Sequence, residues 1–166
     1  MRTSVVTFEV TPPTVEYWSD VRDDLAARGL PFLVCEDAGE DAGEDAGQVT
    51  GYAYASQWRP KPAYQHTVES TIYLAPGRTG KGLGRQLLGA LLRNCAQAGV
   101  EQVIAVIADS GDPASAALHR ACGFTEAGLL RNVGRKHGRL IDTLLMQRDL
   151  THDCGAAPEH GTAPRA

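Results

Sequence analysis

No window of the 166-residue chain holds the ~20 consecutive apolar residues that a membrane-spanning helix needs, and the N-terminus has no secretory apolar core. Cysteine is sparse. Cys35, Cys95, Cys122 and Cys154 lie far apart with no Cys-x-x-Cys pair, which argues against an encoded zinc site and against a disulfide framework. They read as reduced thiols, three of them small packing residues. No dense Lys/Arg stripe with interleaved aromatics is present, so no nucleic-acid partner is expected. These absences point to a soluble, cytoplasmic protein without a membrane or metal partner. What is there suffices for one core: 43% of the residues are hydrophobic, and the length fits a single domain. That domain is expected over residues 1–150. Residues 151–166, rich in Pro, Gly and Ala, are expected to form a disordered tail.

The net charge of −4 is misleading, because a Glu-Asp-Ala-Gly repeat at 36–47 supplies six acids. Setting those aside leaves 14 acids against 16 bases, so the body of the chain is mildly basic and the repeat reads as a solvated acidic insert.

Along the chain, Val5 to Phe8 favours a strand, and Pro12-Pro13-Thr14 punctuates. Val15, Trp18, Val21 and Leu25 then recur at helical spacing up to Gly29. Phe32 to Cys35 and Gln48 to Ala55 read as paired strands, the acidic repeat expanding the hairpin loop between them. From Thr67 to Leu74 residues alternate: Val68, Ser70, Ile72 and Leu74 on one face, Thr67, Glu69, Thr71 and Tyr73 on the other. A glycine-rich loop, Pro76 to Gly84, opens into a helix whose Leu83, Leu87, Leu88, Leu91, Leu92 and Cys95 keep to one stripe and which ends at Gly99. Val103 to Ile107 is a continuous apolar, central strand. Asp112-Pro113 reads as an N-cap followed by proline at the first helical position, opening a short helix to Cys122. Phe124 to Leu150 suggests two strands around the turn Gly134 to Gly138.

Strand, glycine-rich loop and helix in that order make an anion site, because backbone N–H groups at a helix start lack internal partners and the helix dipole adds positive potential. Spacing separates the candidates. A P-loop requires Gly-x-x-x-x-Gly-Lys-Ser/Thr, but Ala75 takes the first glycine position and Gly82 replaces the hydroxyl. The dinucleotide fingerprint fails because Leu87 stands where the third glycine belongs. An acyl-CoA pyrophosphate loop fits Gly82-x-Gly84, and so does an ordinary glycine-rich turn.

Ile72-Tyr73-Leu74-Ala75-Pro76 through Gly84 and Leu87-Leu88 resembles the coenzyme A motif of the GNAT superfamily of N-acetyltransferases. Leu118-His119-Arg120-Ala121-Cys122-Gly123-Phe124 resembles its second motif, usually Leu-Tyr-x-x-x-Gly-Phe. Trp58-Arg59, Thr67 to Ser70, His119 and Arg135 to Gly138 are most similar to the phosphinothricin and methionine sulfone/sulfoximine acetyltransferase group. The likeness runs from about Thr3 to Leu150. It implies an α/β (α+β) acyl-CoA N-acyltransferase fold, a mostly antiparallel sheet flanked by helices. It also implies acetyl-CoA as co-substrate and direct attack by the amine of a small amino-acid-like molecule. A homodimer is compatible with it. The alternatives are a non-catalytic acyl-CoA-binding module and a protein N-terminal acetyltransferase.

The resemblance implies Glu69 as general base, which suits an amine that arrives as an ammonium ion. His119, where many relatives place tyrosine, would protonate the leaving thiolate, since imidazole titrates near neutrality. A backbone N–H near Leu74 would stabilise the thioester oxygen. Cofactor contacts fall on Ile72, Tyr73, Leu74, Thr79, Gly80, Lys81, Gly82, Leu83, Gly84, Arg85, Asp112 and Ser115. Substrate contacts fall on Arg59, Lys61 and Tyr64, and on a second basic cluster including Lys136 and His137. Each of these charges also fits a solvated loop.

Four departures from the family are expected to matter. The usual first strand and helix are missing, which would leave apolar surface and an open strand edge, so an upstream start codon, or a crippled or partner-dependent form, is expected. Thr79 stands for the usual Gln or Arg, and Asp112 lies near a common asparagine. Leu88 stands for a tyrosine, which leaves substrate preference open.

Overall fold

The computed structural model describes residues 12–36, 47–109 and 111–151. The proposed strand at Val5 to Phe8, residues 37–46 of the acidic repeat and residues 152–166 lie outside them. The described chain is a mixed α/β fold. In order, α1 (Val15–Ala27), β1 (Phe32–Glu36), β2 (Val49–Gln57), a 3-10 turn (Pro62–Tyr64), β3 (Thr67–Leu74), α2 (Leu83–Gln97), β4 (Gln102–Ala108), α3 (Ala114–Ala121), β5 (Thr125–Lys136) and β6 (Arg139–Asp149). The six strands form one sheet in the order β1-β2-β3-β4-β6-β5. Every neighbouring pair is antiparallel except β3 and β4, which α2 joins and which run parallel.

Local chemistry explains the boundaries. Thr14 caps α1 by accepting from the Tyr17 N–H, and Gly29 (φ 67°) turns the chain out of it. The short helix begins one residue later than expected. Pro113 takes the cap position itself, while the Asp112 carboxylate accepts from the Ala114 N–H at 2.9 Å.

The sheet's two faces differ. On one, Ala53, Ala55, Val68, Val103, Ala105 and Met146 are all but sealed by Leu87, Leu88, Leu91, Leu92 and Cys95 of α2. Burial of each such leucine contributes roughly 1.5–3 kcal/mol. The Cys95 thiol is pushed up to about 12 by burial, as suits a packing residue and not a nucleophile. Leu88 is fully buried in this layer, so its difference from the family's tyrosine is a core difference. On the other face α1 covers β1 and β2: Trp18 meets Phe32, Tyr52 and Tyr54 edge-on at 5.2–6.2 Å, and Arg28 donates to Gln57.

Gly51, in β2 opposite Leu74, is the tightest glycine of this packing. A Cβ there would meet a Leu74 methyl at 2.7 Å and the Tyr73 carbonyl oxygen at 2.9 Å. Gly51→Ala should therefore lower stability by about 2 kcal/mol, read as a shifted denaturant midpoint at unchanged slope.

Candidate active site in the β3–β4 wedge

β3 and β4 start as ladder partners and then part. Their pairing runs from Thr67 opposite Gln102 to Ser70 opposite Ala105 and stops there. Each strand stays bonded on its outer side, β3 to β2 as far as Leu74 and β4 to β6 as far as Ala108. The result is a wedge between Thr71–Leu74 and Val106–Ala108 with main-chain groups turned into it. Ala75 N–H points outward to the Thr50 carbonyl at 2.8 Å, so strand alternation turns the Leu74 N–H inward. That is the donor the oxyanion role requires.

The glycine-rich loop lies at the mouth of the wedge. Gly77, Gly80 and Gly82 all hold φ near +80°, a conformation other residues rarely take. Gly82 is the cap of α2 and has no side chain to occupy the first N–H groups of the helix, which face the loop. Gly84 has a packing reason to be glycine that the sequence does not show. Its φ is ordinary, but a Cβ would press on Leu118 at 3.2 Å and Leu74 at 3.4 Å, so it lets α2 seat closely against β3 and α3. Thr79, Gly80 and Lys81 are exposed on the loop, Leu83 is half-buried, and Arg85 projects from the first turn near Cys122. Main-chain donors, left-handed glycines and flanking cations suit a diphosphate, and the wedge suits an extended arm behind it.

Glu69 is at the apex, one residue before the last β3–β4 pair, half-buried on the face that also bears Thr71 and Tyr73. Burial pushes its carboxyl up, and the nearby Arg59 guanidinium partly offsets this. Arg59 itself stacks 4.0 Å from the Trp58 ring centre. Lys61 and Tyr64 share the loop with Arg59 but point into solvent.

His119 is almost completely buried, 2% exposed, and packs edge-on against Phe124. Its Nδ1 lies 2.8 Å from the Ser115 carbonyl, which can only accept, so Nδ1 carries the hydrogen. Burial pushes the ring's pKa down, opposed by that hydrogen bond, and keeps the ring neutral at neutral pH. Nε2 is then a bare lone pair, buried and without a partner. In this state it accepts a proton before it can give one, a condition the sequence could not reveal. Asp112, engaged as a helix cap, and Ser115, engaged through its carbonyl, belong first to α3.

Lys136 and His137 are not brought to Glu69 within one chain. Lys136 is buried and His137 forms the left-handed turn between β5 and β6. Glu69 is level with Gln147 of β6 through Ile104, eight residues from Arg139, which places the turn roughly 25 Å away. Conversely, the structure adds Tyr54 and Ser56, cross-strand partners of Thr71 and Glu69, which sequence reasoning did not single out as site residues. Only the alternation of β2 hinted at them, and its register with β3 cannot be read across the proline-containing loop 58–66 that joins the two strands.

Comparison with known proteins agrees with this fold. The chain is 42% identical over 159 residues to a phosphinothricin N-acetyltransferase from Alcaligenes faecalis, covering 96% of this chain and 77% of that one. It is 41% identical to an L-methionine sulfoximine/L-methionine sulfone acetyltransferase from Pseudomonas paraeruginosa, covering 80% and 71%. A crystal structure of a phosphinothricin acetyltransferase from Sinorhizobium meliloti in complex with acetyl-CoA superposes with a TM-score of 0.80 at 41% identity, covering 98% and 83%. Residues 4–124 match the Acetyltransferase (GNAT) family, and with that match and these relatives the chain belongs to it.

Proposed function

We propose that residues 1–150 form one acetyltransferase domain that moves the acetyl group of acetyl-CoA onto the α-amine of a small amino-acid-like substrate, of the phosphinothricin or methionine sulfone/sulfoximine type. The observation that carries this reading is the wedge itself: a glycine-rich loop and a helix start at its mouth, an inward N–H at Leu74 along it, and a half-buried carboxylate at its apex.

Coenzyme A supplies the activated acetyl group. Gly80 to Arg85 would hold its diphosphate and Ile72 to Leu74 its arm, with Asp112 and Ser115 bordering it. Glu69 takes the first proton from the substrate ammonium, and its raised carboxyl matches that task better than an ordinary glutamate does. Arg59, with Lys61 and Tyr64 on the same loop, receives the substrate carboxylate. As the new C–N bond forms, the Leu74 N–H stabilises the oxygen. His119 Nε2 accepts the second proton from nitrogen and passes it to the departing sulfur, so one proton leaves through Glu69 and one ends on the thiol.

A homodimer fits this reading. The edge strand β5 exposes Leu129, Leu130 and Val133, an apolar strip on an unpaired strand edge that a second copy could cover. A cytoplasmic location, with neither nucleic acid nor membrane as partner, also fits. Cys35, Cys95 and Cys122 are free thiols, and no helix among the described residues is long and apolar enough to cross a membrane.

Thiol release on methionine sulfone or phosphinothricin tests the activity. Glu69→Gln should lower kcat/KM about 10²–10⁴-fold and abolish the acid limb of its pH profile, which in the wild type lies above the ordinary glutamate value of ~4.3. Full activity in Glu69→Gln would sink the base assignment, and turnover of peptides alone would favour a protein acetyltransferase.

His119 gives a second test. Its folded pKa is depressed, so the unfolded chain binds the extra proton and stability falls as pH drops below ~6.5. His119→Phe should flatten that part of the stability–pH curve and slow turnover tenfold or more.

A further inference from the structure

Beside Glu69, on its own face of the sheet, a cleft of about 370 Å³ opens between α1 and β2, lined by Tyr17, Asp20, Asp24, Leu25, Tyr54 and Ser56 among others. Its floor is continuous with the proposed base. Ser56 is the direct cross-strand partner of Glu69, and Tyr54 of Thr71. Directly opposed residues stand about 5 Å apart, within reach of an amino-acid side chain whose amine lies at Glu69.

The two walls of the site differ in charge. On the loop side stands Arg59, over the Trp58 ring and close enough to Glu69 to act on its carboxyl. On the cleft side the charged groups are carboxylates. Asp24 is held by Arg28 at 2.9 Å, and that guanidinium also reaches Gln57. Asp20 has no cationic partner among the described residues. Hydroxyls of Tyr17, Tyr54 and Ser56 line the same cleft, that of Tyr54 sharing a hydrogen bond with Thr71.

From this arrangement we propose that the α1–β2 cleft is the side-chain pocket of the substrate, and that it selects amino acids with an uncharged, hydrogen-bond-accepting head over those with an anionic one. This rests on the acetyltransferase reading above and narrows it. A substrate whose carboxylate goes to Arg59 and whose amine goes to Glu69 has its side chain directed toward Ser56 and Tyr54. A sulfone head is neutral and offers oxygens to those hydroxyls. A phosphinate head offers similar oxygens but brings a negative charge toward Asp20, and like charges a few ångströms apart at a protein surface disfavour such a complex.

The test compares kcat/KM for L-methionine sulfone and for phosphinothricin in one thiol-release assay, with the full chain and its Asp20→Asn and Asp20→Lys variants. Asp20 is exposed on a helix surface, so both variants should fold. The wild type should favour the sulfone about tenfold. Asp20→Asn should narrow the ratio about threefold and Asp20→Lys further, by raising the phosphinothricin value, and added salt should narrow the wild-type ratio. Equal or better use of phosphinothricin by the wild type, or a ratio that Asp20→Lys leaves unmoved, would overturn the proposal while leaving the acetyltransferase reading intact. Failure to acetylate either amine would remove both.

Discussion

The separation of β3 from β4 is the constraint on which the rest of the molecule depends. Parallel strands that stay bonded to their outer neighbours but not to each other expose main-chain donors and acceptors in the middle of a sheet. Each such group, if left without a partner, costs about 1–3 kcal/mol. A fold keeps an opening of this kind only when both outer ladders are rigid. Here β2 holds β3 to its last residue, and β6 holds β4 to its last residue. The opening is preformed, so an extended ligand arm adds itself as a partner for groups already in place.

The two sheet faces then divide the tasks. The α2 face is close-packed and apolar, and it fixes the angle of the wedge through Gly51 and Gly84, where backbone and side chains meet too closely for a Cβ. The opposite face carries Glu69, Tyr54, Ser56 and Tyr73 under a single helix that buries only Leu25 fully. Desolvation acts on both proposed proton carriers in the same sense, toward the uncharged form. It raises the Glu69 carboxyl and lowers the His119 ring, bringing the carboxyl nearer to neutrality and keeping the imidazole a neutral acceptor. Burial thus gives a carboxylate with a stronger hold on an incoming proton and a ring that waits uncharged.

Much of this was legible in the sequence, for identifiable reasons. The alternation of Thr67 to Leu74 fixed which side chains share the face of Glu69, and the leucine stripe of α2 fixed the opposite layer. The left-handed positions were visible as glycines 77, 80 and 82. Strand register was not legible. Nothing in Ser56 or Tyr54 announces that they oppose Glu69 and Thr71, because pairing is decided across loops of unrelated length. The packing role of Gly84 was hidden for a similar reason, since the atoms that crowd a Cβ there belong to Leu118 and Leu74, distant in sequence. The placement of Lys136 and His137 was equally hidden. A basic turn reads the same in sequence whether it faces its own site or lies strands away from it.

The acidic repeat illustrates what such a scaffold tolerates. It joins Glu36 to Gly47, and the ladder closes on either side of it with Glu36 opposite Val49 across one irregularity. Closing a longer loop costs only ~0.6 kcal/mol per doubling of length, so the insertion is cheap for the fold as long as both strand ends stay paired. Its consequence is electrostatic. Gly51 pairs with Cys35 on one side and Leu74 on the other, so Glu36 and Gly47, the described ends of the repeat, stand at the same end of the sheet as the glycine-rich loop. Charge there acts on an incoming anion within about 10 Å at 0.1 M salt and little beyond. Glu36, the described acid at that end, is therefore a charge whose weight on ligand entry is read from the salt dependence of binding and not from the folding equilibrium.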